Sequence, residues 1–142
     1  MLNLNKIFDS FIDQQVDDLE ETTLLIDFSE HPLYMLGGFN KIIKNRKFFQ
    51  KYTIGLFAQH SPQIPSSKVK LIAEQLMFDK AWDFIKNFKP NNEFHVECLK
   101  MKASDDFLLN IELIIKYYEN KEEYEKCAFL IKIYDKLKTL LS

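Results

Sequence analysis

Arginine is almost missing from this chain of 142 residues, where Arg46 stands alone against 18 lysines. A single arginine leaves little for the bidentate reading of base edges. Glycine is nearly as scarce, with three residues, Gly37, Gly38 and Gly55. None belongs to a GxxxxGK[ST] or GxGxxG pattern, and Leu36-Gly37-Gly38-Phe39 reads as a tight turn before a helix rather than a phosphate cradle. The two cysteines, Cys98 and Cys127, lie far apart and form no CxxC pair. They read as buried thiols of a reducing compartment, which makes the cytoplasm the expected location and a disulfide framework unexpected. No apolar run approaches the roughly 18 residues of a membrane span. The opening MLNLNKIFDSF lacks the basic, apolar and small-residue order of a secretory leader.

What is present is apolar and aromatic. Apolar residues make up 46% of the chain and aromatics 14%, 13 of them phenylalanine, well beyond what a disordered segment carries. A chain of this length fits one domain, 1–142, and buries about two thirds of its unfolded surface without needing a metal or a disulfide.

Charge is distributed unevenly. Residues 1–30 hold eight acids and one lysine, residues 31–51 hold five cations and no acid, and the rest balances. Within a helix over 4–19, Leu4, Ile7, Phe8, Phe11, Ile12, Val16 and Leu19 form the apolar side. Asp9, Asp13, Asp17 and Glu21 recur every four residues near the other side. Like charges at that spacing destabilise an isolated helix by roughly 0.2–0.5 kcal/mol per pair. A solvated face is the plain reading. The sharper one pairs this row with Lys41, Lys44, Lys47 and Lys51, in another molecule or in a basic partner.

Local signals give mostly helices. Residues 22–28, TTLLIDF, read as a strand or an extended connector. Pro32 and the glycine pair punctuate, and Asn40 is placed to cap a helix over 41–57. The stretch SPQIPSS, 61–67, is a loop, after which Ser66 or Ser67 caps a helix that Pro90 ends beyond Lys89. Residues 93–102 fit helix better than strand. Ser104 opens a helical hairpin over 104–141. Phe107, Leu108, Ile111, Ile114, Ile115 and Tyr118 share one face of its first helix. On its second helix, Cys127, Leu130, Ile131, Tyr134, Leu137 and Leu141 make one stripe, and Phe129, Ile133 and Leu140 make another. Two apolar sides call for two neighbours, so the second stripe is a candidate interface. Trp82, off the main stripe of its own helix, is a further candidate.

Residues 117–137, YYENKEEYEKCAFLIKIYDKL, resemble the UVR motif, the helical hairpin of the nucleotide-excision-repair helicase subunit and its nuclease partner. Tyr124-Glu125-Lys126-Cys127-Ala128 stands where that family has an aromatic, an acid and two small residues, followed by Leu130 and Asp135. Ile131-Lys132 departs from the family's Arg-Asp pair. The resemblance covers less than a quarter of the chain, and it implies a hairpin through which proteins dock.

Chemistry is poorly represented. His31, His60 and His95 are isolated, with no ligand set for a metal. No GxSxG turn exposes a serine, and no cofactor is indicated. Lysines among Phe48, Phe49 and Tyr52 allow nucleic-acid binding, against which stand the acidic balance and the expected burial of those rings. The expectation is therefore an all-α bundle of five or six helices, or α+β if 22–28 pairs with 93–102. Its function would be that of a non-enzymatic interaction or structural subunit, for example in a phage particle or another multi-subunit assembly. The alternatives are a nucleic-acid-associated accessory protein and a small enzyme without recognisable motifs.

Overall fold

In a computed structural model of the chain, residues 29–142 are described; they form six helices and, among them, no strand. The first, α1, spans Pro32–Lys44. Proline at the first helical position loses no hydrogen bond there, and His31 caps the end by accepting the Leu33 N–H on Nδ1 at 3.1 Å. The glycine pair does not interrupt α1. A Cβ on Gly38 would lie 2.3 Å from ring carbons of Phe84, so this glycine lets an aromatic ring lie directly on the helix backbone.

The helix expected over 41–57 is two helices in the structure. The break falls at Asn45, whose backbone N–H and side-chain Nδ2 both donate to the Lys41 carbonyl, while Arg46 Nη1 donates to the Ile43 carbonyl at 2.8 Å. These bonds satisfy the last carbonyls of α1, and α2 begins at once as Arg46–His60. Asn40 is not a cap. It sits inside α1, and its Oδ1 accepts from Asn110 Nδ2 at 2.9 Å.

Helix α2 buries only Phe49, Thr53 and Phe57, a narrow stripe at intervals of four laid on α3. Helix α3, Ser66–Ile85, follows the expected loop, yet neither Ser66 nor Ser67 caps it; Pro65 occupies the cap position. It stops at Ile85 rather than Lys89. The chain turns there so that Phe88 enters the core, and the Lys89 N–H bonds His95 Nδ1 at 3.0 Å instead of continuing the helix.

Helix α4, Glu93–Lys102, settles the ambiguous stretch as helix, capped by Asn92 accepting from the His95 N–H at 3.1 Å. The α+β alternative fails at this element, and its other half, 22–28, lies outside the described residues. Ser104 caps α5, Asp105–Asn120, by accepting the Phe107 N–H at 3.1 Å, with Asp105 and Asp106 favourably placed in the first turn. A turn with Glu122 at φ 59° leads into α6, Tyr124–Leu141. There the Glu123 N–H bonds the Tyr118 carbonyl at 3.0 Å.

One buried cluster draws on all six helices. Phe39 stacks on Phe107 with centroids 5.8 Å apart, and Phe78 stacks on Tyr117 at 4.4 Å. Tyr118, fully buried, places its hydroxyl 3.2 Å from the Phe78 carbonyl and 3.0 Å from Asp79 Oδ1, tying α5 to α3 through an inward polar group. No helix among the described residues is long and apolar enough to cross a membrane.

Candidate interaction surface

The outer face expected on the C-terminal hairpin is not an outer face. Ile133 is completely buried, and Phe129 and Leu140 pack half-buried against the core. At about 100° per residue, 129, 133 and 140 fall within roughly 40° of one another and directly beside 130 and 137. The two stripes are therefore adjacent halves of one broad buried arc. The residues left outside are Ile131, 42% exposed, and Leu141, both of which the spacing had placed on the core stripe.

Trp82 is also held internally. Its ring meets Tyr118 and Phe129 edge-on at 6.1 and 5.5 Å, and Lys126 Nζ stands 5.5 Å over it and 4.6 Å over Tyr118. Trp82, Tyr118 and Lys126 line an open groove of about 500 Å³ together with Gln75, Asp79, Asp83, Tyr117, Lys121 and Glu123. Several of its polar members are already matched: Lys126 pairs with Glu123 at 2.7 Å, Asp83 with Lys86 at 3.4 Å, and Asp79 accepts from Tyr118. Burial, with Asp79 nearby, pushes the Tyr117 hydroxyl up to about 12 and that of Tyr118 higher still, so both stay protonated donors. The groove reads as a lock on the α5–α6 turn.

His31 and His95 each spend Nδ1 on a backbone N–H. Among the described residues no group of three or more His, Cys, Asp or Glu is placed to hold a metal ion. Cys98 and Cys127 are buried, and burial raises both thiols above their ordinary range, which makes them poor nucleophiles.

The basic segment gives the surface with the clearest character. Lys44, Lys47 and Lys51 are exposed, and Lys41 is half-buried. The expectation that the neighbouring rings are all buried holds for Phe49 alone, because Phe48 is 57% exposed and Tyr52 39%. The inward stripe of α2 runs Phe49, Thr53, Phe57, and at about 100° per residue positions 48 and 52 fall roughly 140° and 100° from its centre, outside it. Each of Lys41, Phe48, Phe49 and Tyr52 is engaged in a further interaction.

The cation-rich stretch continues past Lys51. From residue 31 to residue 73 there is no acid at all, and the first is Glu74. Lys68 and Lys70, both exposed, follow at the start of α3, a helix that packs along α2. Leu71 stands beside them, 68% exposed. The charge pattern past Lys51 holds the signal for both lysines, and none for Leu71. The acidic row Asp9, Asp13, Asp17 and Glu21 lies outside the described residues.

Comparison with family models, with characterised proteins and with solved structures finds no match to this chain.

Proposed function

We propose that this chain is a non-enzymatic interaction subunit of a larger assembly, which docks an acidic protein segment on the lysine-bearing surface of α2 and the first turns of α3. One observation carries the reading: residues 31–73 bear seven cations and no acid, spread over α1, α2 and the start of α3, where Leu71 is exposed to solvent. A long single-sign surface raises the local concentration of an opposite partner and penalises like-charged ones. Exposed apolar area within it adds burial energy of about 25 cal/mol per Å² on docking. The C-terminal hairpin, with its resemblance to a docking hairpin, offers a lesser surface through Tyr124 and Ile131, which are exposed on α6.

A second reading has its own support. Phe48 and Tyr52 face outward beside Lys47 and Lys51, and aromatic faces among cations hold single-stranded nucleic acid. Fluorescence anisotropy with a labelled oligoglutamate and a single-stranded oligodeoxynucleotide of equal charge separates the two. Protein docking expects the peptide to bind, more weakly as salt rises, and the Lys47→Glu, Lys51→Glu, Lys68→Glu, Lys70→Glu variant to lose it while keeping its helical circular dichroism. A clear preference for the oligonucleotide would transfer the function to nucleic acid. Binding of neither probe would remove both readings.

A further inference from the structure

Three aromatic rings meet in the groove that α3 forms with the end of α5 and the start of α6. Trp82 and Tyr118 stand at 76° to each other, and Tyr117 and Tyr118 at 70°, so the rings form walls rather than a flat stack. Each wall is held in place. Phe129 abuts Trp82 edge-on, Phe78 stacks on Tyr117, and the Tyr118 hydroxyl is tied to the Phe78 carbonyl and to Asp79. The corner between the walls already holds a cation. Lys126 Nζ lies 4.6 Å over Tyr118 and 5.5 Å over Trp82, and Lys121 Nζ lies 5.7 Å over Tyr117. Ring faces attract cations through their quadrupole, and quaternary ammonium groups are well suited to such walls. We propose that this groove is a cage for the quaternary ammonium group of a small ligand, with the Lys126 ammonium as its resident and displaceable occupant.

Lys126 is suited to leaving. Its side chain is 29% exposed and its partner Glu123 46%, so solvent weakens the ion pair that holds the ammonium in place. Rotation about its own side-chain bonds carries the ammonium into water, restores rotamer freedom and leaves the α6 backbone where it is. What remains favours a cation. Without Lys126 the lining sets the carboxylates of Asp79, Asp83 and Glu123 against the single ammonium of Lys121. An incoming cation restores the charge that Lys126 supplied, whereas an anion would face three carboxylates. A quaternary ammonium also fits the acceptors better than a primary one, which brings three N–H donors. Asp79 and Asp83 are already engaged by the Tyr118 hydroxyl and Lys86. The volume of about 500 Å³ lies within the roughly 300–1,000 Å³ of small-ligand pockets.

Trp82 is the only tryptophan of the chain, so its fluorescence reports on the cage directly. The full chain is titrated with choline at constant ionic strength, and in parallel with dimethylbutanol, the uncharged carbon isostere of choline. Choline is expected to change the Trp82 emission along a saturable curve, and dimethylbutanol to leave it flat. Lys126→Ala removes the resident ammonium and is expected to tighten choline binding roughly tenfold, because the cage no longer has to be emptied first. Lys132→Ala removes the same charge from an exposed position of the same helix and is expected to match the parent. Lys126→Gln keeps most of the stem and takes the place of the alanine variant if that variant loses its helical circular dichroism. A flat choline curve in the parent would overturn the proposal, and so would an equal response to dimethylbutanol, which would make the groove apolar rather than cation-selective. Choline affinity left unchanged or weakened by replacing Lys126 would show that this ammonium does not occupy the site. Equal tightening by Lys132→Ala would assign the gain to net charge and overturn the cage as well.

Discussion

Gly38 and Phe84 are in direct contact across the α1–α3 interface, with ring carbons Cδ1 and Cε1 each 2.3 Å from where a Cβ on Gly38 would stand. That proximity explains why a residue costing about 1 kcal/mol of helix propensity relative to alanine sits inside α1. Gly37, its neighbour, has no atom within 4 Å of the same point. The two alanine variants should therefore differ in sign. Gly37→Ala is expected to stabilise by up to about 1 kcal/mol, while Gly38→Ala forces Phe84 aside and destabilises by about 1–3 kcal/mol. Paired thermal melts read both. Equal shifts would mean that the Phe84 ring moves freely and that the close approach is not what excludes a side chain.

Ile133 and Ile131 sit two positions apart on α6, one completely buried and the other 42% exposed. Ile133→Asp places a charge in the core and should cost more than about 4 kcal/mol, enough to unfold a marginal domain. Ile131→Asp should stay within about 0.5 kcal/mol of the parent. Chemical denaturation of both variants checks the assignment of the buried arc. If Ile133→Asp were tolerated, α6 would be packed on a different face.

The same helix shows how far the amino-acid pattern could be read. The hairpin, its Ser104 cap and the core of α5 follow from spacing alone, because a cap residue and a three-four repeat are local properties. The width of the α6 arc was not legible. Apolar residues at 129, 133 and 140 look like a separate stripe until the neighbours that cover them are placed. The start of α1 was hidden differently, since Pro32 and the glycine pair look like turn signals, whereas Pro32 stands at the first helical position and Gly38 packs under Phe84 beside buried Met35, Leu36 and Phe39. The break at Asn45 then displaced the expected cap at Asn40, and Phe48 and Tyr52 fall outside the narrow inward stripe of α2. Of the candidate surface, the lysines at 41–51 were visible in composition. Lys68, Lys70 and Leu71 join it only because α3 folds back along α2.

Thr53 Oγ1 is buried with no hydrogen-bond partner, on the stripe that α2 lays against α3. A buried hydroxyl without a partner costs about 1–3 kcal/mol, and valine reproduces its shape without the polar atom. Thr53→Val should raise the melting temperature, by the equivalent of about 1 kcal/mol. Thr53→Ala should lower it instead, because the lost methyl leaves a void in the contact. A drop on Thr53→Val would reveal a polar partner for the hydroxyl.

His95 couples the fold to pH. It is 8% exposed, rests against Phe88 with ring centroids 5.2 Å apart, and accepts the Lys89 N–H on Nδ1 at 3.0 Å, so the folded state requires that nitrogen unprotonated. Burial, reinforced by Lys89 and His31, lowers its pKa from the ordinary 6.5. The unfolded chain then takes up the proton more readily than the folded one. The stabilising contribution is complete above about pH 6.5 and declines as pH falls below it toward the depressed folded value. His95→Asn offers an amide oxygen to the same N–H and does not titrate. It should lower stability at neutral pH through lost packing, yet flatten the fall in stability between about pH 7 and pH 5. Urea denaturation at successive pH values measures both slopes. Parallel slopes would assign the acid sensitivity to other groups and leave His95 a purely structural link between α4 and the turn after α3.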